Sequence, residues 1–366
     1  MSSKEKKGNA RGRNAALILL CAILIIALAA VLVYRSLVVK PDLPSQEKPV
    51  QPPVTVIDPE TGETILPGET TEVVETIGGE RKSEDFYTIL VVGTDTSSGN
   101  TDTIMLVSYD VTNQNATVMA IPRDTLVNAY GNGRYTRINT IYAAYGGGER
   151  GMNALAQEVS ELVGFAPDYR VFIRWEMVGQ MVDAIGGVEY DVPYHMEYDD
   201  PVQDLHIYIE KGLQTLNGDQ AMQLVRWRKN NAGVSGGGDG SDLTRLKVQQ
   251  GFLKATLSQT LQIKNVTKID ELARLFSEHV DGDLTLSNLL WFAKEAVFGG
   301  LSVDNVEFVT MPWRAAGNHV YPDQDALLEL INTKLNPYTA AVTLNQVDLI
   351  YFDAGGNLCS TGGAGK

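Results

Sequence analysis

FYTILVVGTDTSSGNTDTIMLVSYD, residues 86–110, is the stretch on which the fold turns. Tyr87 to Val92 and Thr103 to Tyr109 are short apolar, β-branched and aromatic runs, divided by a Gly, Ser, Asn and Asp-rich loop from Thr94 to Thr101. Runs of this length and composition, bounded by turn residues, read as strands. Ala116 to Ile121 supplies a third. Downstream the period changes. Asn153 to Val163 has helical spacing, Tyr169 to Ile173 reads as a strand, and Met177 to Ile185 as a helix ended by Gly186 and Gly187 before a strand at Val188 to Val192. Asn217 caps a short helix to Val225. A longer helix opens at Ser241 or Asp242, with Leu243, Leu246, Leu253, Leu257 and Leu261 near one apolar stripe. Further helices surround a strand at Val306 to Thr310. Interleaved strands and helices predict an α/β layered domain.

Upstream the composition changes twice. Ala15 to Tyr34 is twenty residues without a charge, long enough at about 1.5 Å per residue to span a bilayer core of roughly 30 Å. Lys4, Lys6, Lys7, Arg11 and Arg13 precede it, which predicts a cytoplasmic N-terminus and an exported remainder. A cleaved signal peptide fits less well, because apolar residues continue past Ala27-Leu28-Ala29 to Val33. From Lys40 to about Ser83 lie half of the 14 prolines with many Glu and Thr, the composition of a semi-extended stalk that could hold a domain on the order of 100 Å from the membrane or fold back toward it. The expected organisation is a basic cytoplasmic tail (1–14), a single-pass membrane anchor (15–34), a Pro-rich disordered stalk (35–84), one extracytoplasmic catalytic domain (85–340) and a Gly-rich C-terminal tail (341–366).

A formal charge of -15 argues against nucleic acid as a partner, since phosphate binding needs a broad basic face. Cys21 and Cys359 cannot build a disulfide framework, and the four histidines show no metal-ligand spacing. Gly146 to Gly151 matches GxGxxG without a preceding strand, and Gly233 to Gly237 matches GxSxG inside a flexible glycine run, so neither a dinucleotide site nor a serine hydrolase follows.

What remains is a set of aspartates and arginines at element ends. Asp95 follows the first strand and Asp102 precedes the second, so the loop between them could bring two carboxylates to one Mg²⁺. Both could equally cap local turns. Arg123 follows the third strand. Arg226 and Arg228 share a face if that stretch is extended, as Arg245 and Gln249 do four apart on the long helix. Arginines converging on one cleft in so acidic a chain would grip a phosphate with their forked donors; surface ion pairs are the alternative.

Together and in this order, ILVVGTDT (89–96), TDTIMLVS (101–108), AIPRDT (120–125), RINTIYAAYGG (137–147), VDAIGGV (182–188), GLQTLNGDQAMQLVRWR (212–228) and DLTRLKVQQ (242–250) resemble the LytR-CpsA-Psr family of cell-wall glycopolymer ligases. The resemblance covers roughly Phe86 to Leu261 and continues more weakly to about Leu335. It implies a three-layer α/β/α domain with a mixed central sheet and a long apolar pocket for a polyprenyl chain. Asp95 and Asp102 match the metal-binding aspartates, for Mg²⁺ or Mn²⁺. Arg123, Arg226, Arg228 and Arg245 match the phosphate-gripping arginines, with Asp242 and Gln249 beside them. Arg137 stands where the family commonly has lysine, Val248 where a second arginine is common, and the loop from Asp95 to Asp102 is short.

The implied reaction is phosphoryl transfer. The C6 hydroxyl of a peptidoglycan N-acetylmuramic acid attacks the sugar-side phosphorus of a polyprenyl-pyrophosphate-linked anionic glycopolymer of teichoic acid or capsule type, and polyprenyl phosphate leaves. Asp102 or Asp95 could help deprotonate the acceptor. A polyprenyl-phosphate-binding membrane sensor or attenuator, and a polyprenyl pyrophosphatase using the same residues, are the alternatives.

Overall fold

The computed structural model describes residues 38–43, 56–57, 64–65, 79–94, 101–129, 135–202, 204–261, 272, 274–275, 278, 280–316 and 319–362. The expected anchor at 15–34 lies outside the described residues; among these, no helix is long and apolar enough to cross a membrane.

In chain order the strands are β1 (Phe86–Thr94), β2 (Thr101–Asp110), β3 (Asn115–Ala120), β4 (Tyr169–Arg174), β5 (Val188–Val192), β6 (Met196–Asp200), β7 (Leu205–Ile209), β8 (Gly212–Leu216), β9 (Val280–Gly282), β10 (Val306–Thr310), β11 (Trp313–Ala316), β12 (His319–Pro322), β13 (Ile350–Phe352) and β14 (Leu358–Ser360). The helices are α1 (Ile138–Ala144), α2 (Gly148–Val163), α3 (Trp175–Ile185), α4 (Gly218–Arg226), α5 (Asp242–Thr260), α6 (Leu286–Gly299) and α7 (Gln324–Leu330). The central sheet has six strands in the order β9-β4-β1-β2-β3-β10. It is mixed: β1 runs parallel to β4 and β3 to β10, while β2 is antiparallel to both neighbours. The strands expected from the sequence all form. The carboxyl ends of β1, β3, β4 and β10 therefore share one end of the sheet with the start of β2, where open sheets commonly bind ligands.

Alternation of side chains gives the two faces different work. Leu90, Val92, Ile104, Leu106 and Met119 point to the face covered by α1, α2 and α7, and join Ile138, Leu155 and Leu327 in the main core. On the other face Tyr87, Tyr109 and Tyr169 meet Trp291 and Phe292 of α6, with the Tyr87 and Phe292 rings edge-to-face at 5.1 Å. A second core lies among β5 to β8 and α3 to α5, centred on Trp227. There α3 and α4 cross so closely that a Cβ on Gly218 would lie 2.4 Å from the Gly179 carbonyl oxygen.

Three expectations are corrected. The leucine stripe of α5 is only part of its buried face: Leu246 is buried together with Arg245, Val248 and Phe252, whereas Leu253 is 36 % exposed. The helix is wedged between the second core and β10, so its packing follows more than one stripe. The chain after 340 is not a free tail. Val342, Val347, Leu349 and Ile350 are buried, β13 pairs with β14, and Asn128 donates to Asp348. Lastly, parts of the supposed stalk are fixed to the domain. Arg81 makes a two-pronged bond to Asp168 at 2.7 and 2.9 Å, and Pro41 is buried beneath Tyr87.

Candidate active site

The turn after β3 is locked by its own hydrogen bonds. Thr125 donates its backbone N–H and its hydroxyl to the Pro122 carbonyl, at 3.0 and 2.6 Å, leaving Arg123 and Asp124 at the turn's crest. Leu126 pairs with Arg137, and the amides of Ile138 and Asn139 bond to Thr125 and Arg123 carbonyls. These constraints bring Arg137, the residue before α1, to Asp124 at 3.5 Å, while Arg123 stands 3.9 Å from the same carboxylate. Asp124 thus holds two candidate arginines together. It was missed in the sequence, although it sits inside the AIPRDT motif next to Arg123.

The second arginine group is built around the end of α4. Asn217 and Gln220 form a reciprocal cap that fixes where the helix begins. Its last residue is Arg226, and the chain turns extended at Trp227, which is fully buried, stacks on Tyr194 and donates its ring N–H to Asn230. Arg226 and Arg228 flank a core tryptophan, and this directs them away from the core. Arg228 is exposed and donates to the Gly240 carbonyl at 3.4 Å. The loop before α5 is held by Asp239, which accepts from Thr244 and Ser241; these bonds draw its carboxyl down to about 2.

On α5 Arg245 is only 7 % exposed, and Gln249 donates to the Val225 carbonyl at 2.8 Å, joining this helix to the end of α4. The next residue, Gln250, donates to the Val309 carbonyl and Thr310 hydroxyl at the carboxyl end of β10. Because Thr310 lies beside Ala120 and Met311 bonds to Ala120, the second group stands at the same sheet end as Arg123. None of Arg123, Arg137, Arg226 and Arg245 is free of interactions. Val248, where a further arginine was expected by resemblance, is 2 % exposed and belongs to the second core.

The acidic candidates are less fully placed. Asp95 lies outside the described residues; Asp102 is the second residue of β2 and Asp242 the first of α5, both described by backbone position alone. Among the described residues, no group of three or more His, Cys, Asp or Glu is placed to hold a metal. One buried oxygen on α1 is notable. Asn139 is 92 % buried, its carbonyl accepts from the Thr101 hydroxyl at 3.3 Å, and its side-chain oxygen has no partner among the described residues. An orphaned buried acceptor suits a hard cation, which takes oxygen donors.

Below the arginines the sheet offers an apolar floor. Val91, Met105, Val107, Ile173 and Phe308 share the face turned toward α5 and α6, yet are only partly buried although β1 and β2 are central strands. A cleft of about 560 Å³ opens beside it, lined by Lys247, Gln250, Lys254 and Phe308. The floor closes at its far end on the Tyr87 and Phe292 cluster.

A model of the LytR_cpsA_psr family matches residues 60–336. The polyisoprenyl-teichoic acid–peptidoglycan teichoic acid transferase TagV of Bacillus subtilis is 26% identical over 196 residues, 53% of this chain and 46% of the relative. TagU of Bacillus cereus, which carries the same transferase description, is 29% identical over 167 residues, 46% of this chain and 49% of its own. The chain thus spans about half the length of these curated relatives. The crystal structure of B. subtilis TagV superposes with a TM-score of 0.55 at 25% identity, covering 69% of this chain and 96% of that one.

Proposed function

Since the chain belongs to the LytR-CpsA-Psr family, we propose that it is a membrane-anchored phosphotransferase that moves a polyprenyl-pyrophosphate-linked anionic glycopolymer, of teichoic acid type, onto peptidoglycan outside the cell. The observation that carries this reading is the placement of two arginine groups at one sheet end, above a partly buried apolar floor. A cationic mouth over an apolar floor complements a pyrophosphate on a long hydrocarbon chain and few other metabolites. The transferase descriptions of the TagV and TagU relatives support the same substrate class.

The acceptor is the C6 hydroxyl of N-acetylmuramic acid. Its oxygen forms a bond to the sugar-side phosphorus as the bond to the bridging oxygen breaks; polyprenyl phosphate leaves, and the acceptor's proton is released. Arg123, Arg226, Arg228 and Arg245 hold the pyrophosphate and meet the charge on the equatorial oxygens, which is where positioning and electrostatics supply most of the catalysis in phosphoryl transfer. Mg²⁺ held by Asp95 and Asp102 would neutralise the pyrophosphate. Gln249 fixes α5 against α4, and Asp124 keeps Arg123 and Arg137 in register.

The test incubates the full chain in detergent with a lipid-pyrophosphoryl oligosaccharide, Mg²⁺ and a peptidoglycan oligomer, and follows products by mass spectrometry. A phosphodiester-linked glycan on the acceptor, formed about ten- to hundredfold more slowly by Arg226→Ala, is expected. Release of lipid phosphate without an acceptor product would replace the ligase by a pyrophosphatase.

A further inference from the structure

Residues 38–43 lie flat against one edge of the domain. The Val39 amide donates to the Ser287 carbonyl at 3.2 Å, and Asn288 returns a bond to the Val39 carbonyl at 3.1 Å, at the start of α6. Lys40 pairs with Asp85 at 2.7 Å; the Tyr87 hydroxyl donates to the Pro41 carbonyl at 3.4 Å, the Tyr169 hydroxyl to the Asp42 carbonyl, and Leu43 packs on the Tyr87 cluster. Phe86, Tyr87 and Tyr169 open β1 and β4, so this edge is the opposite end of the sheet from the arginines. The chain reappears at the same edge, where Arg81 binds Asp168 and the Phe86 carbonyl. Leu43 and Arg81 therefore stand at one edge of the domain, and the residues between them are not in the path from residue 38 back toward the N-terminus.

We infer that residues 38–43 are a strap that seats this edge of the domain directly on the membrane surface, and that the Pro-rich segment 44–78 is a side excursion and not a spacer. The inference rests on the anchor reading of residues 15–34. Only residues 35–37 separate that segment from the strap, a reach of at most roughly 14 Å even when fully extended. A stalk of about 100 Å is incompatible with this pinning. The partner surface is the lipid headgroup layer. Two exposed apolar side chains stand on the same rim: Val39, 45 % exposed, and Phe298, 67 % exposed, at the end of α6 beside the turn joining β2 to β3, where Gly299 meets Gln114. Apolar side chains flanked by polar neighbours at a surface this close to lipid favour shallow insertion. The nine residues of β1 then set the arginine mouth about 30 Å above the headgroups, facing the wall. A lipid carrier has to rise over that height, and the apolar floor of the sheet gives its chain cover.

The experiment uses the full chain, with Cys21→Ala and Cys359→Ser, in vesicles carrying an acceptor dye on their headgroups. A donor dye is placed at Phe298→Cys on the strap edge or at Lys229→Cys beside the arginines. Two insertions of about ten Gly and Ser residues are compared, each adding roughly 18 Å of reach: one between 36 and 37, one after Gly68. Strong energy transfer from position 298, weak transfer from 229, and a loss at 298 only with the first insertion are expected. Equal transfer from both dyes, or an equal loss from both insertions, would overturn the strap while leaving the anchor standing. Failure of the intact chain to float with the vesicles would overturn anchor and strap together.

Discussion

Asp124 is where the site is most sensitive to a single side chain outside the arginines themselves. It is about a quarter exposed and stands between Arg123 and Arg137, so its direct stabilising contribution is small, on the order of 1 kcal/mol or less. Its larger effect is orientation. Asp124→Ala is expected to lower kcat/KM for the lipid-linked donor about threefold, with little change in melting temperature. Arg226→Ala and Arg245→Ala each remove a charge-assisted contact of roughly 1.5 to 3 kcal/mol, a loss of about ten- to hundredfold in kcat/KM. Steady-state kinetics on the three variants separates the two effects: an Asp124→Ala defect equal to that of Arg226→Ala would make the carboxylate a direct participant. The arginines were legible in the sequence because they lie at or close to element ends, within motifs that resemble the family's. Asp124 was not, because its function lies in a contact with Arg137, thirteen positions away, that only the turn after β3 creates.

At the scale of elements, strands were easier to read than their environment. The strand limits follow from apolar runs cut by turn residues, and the caps from Asn217 and Ser241, whose side chains accept from Gln220 and Thr244. The α5 stripe failed because a helix wedged between two layers buries Arg245 and Val248 as well as leucine. The C-terminal segment failed because its buried residues, Val342, Val347, Leu349 and Ile350, are spaced irregularly among polar residues and show no period, and the glycines from Gly355 onward made the whole stretch read as a tail. That segment closes over the end of α2. Gly164 ends α2 with a φ of +79°, and a Cβ there would come 2.5 Å from Val342. Gly164→Ala is expected to destabilise by about 1 to 3 kcal/mol, read as a lower denaturant midpoint with unchanged slope. Beside it, Glu158 and Glu161 of α2 lie near Asp348. Burial and this neighbouring charge raise the Glu158 carboxyl well above its ordinary range and hold that of Glu161 up to about 7, from an ordinary 4.5. A raised folded-state value means that the stabilising contribution is complete below about 4.5 and is lost as the pH rises through about 7. Melting temperature should fall across that window, and Glu161→Gln should flatten the fall; an unchanged profile in the variant would assign the pH dependence elsewhere.

Across the whole molecule, one edge of the sheet is tied down and the other is left open. The strap and Arg81 fix the start of β1, whereas the end of β1 and the start of β2 lie at the end of the sheet that carries the arginines. This polarity suits an enzyme that takes a lipid-borne donor from one side and a wall-borne acceptor from the other. The central claim is transfer to a sugar hydroxyl, and heavy-oxygen water tests it most directly. The full chain is turned over in such water with lipid-pyrophosphoryl oligosaccharide and peptidoglycan oligomer, and the products are weighed. Transfer predicts a phosphodiester on the acceptor and polyprenyl phosphate, both free of heavy oxygen, because water never attacks phosphorus. Heavy oxygen in a released glycan phosphate, at a rate unaffected by the acceptor, would contradict the account and make water the true nucleophile.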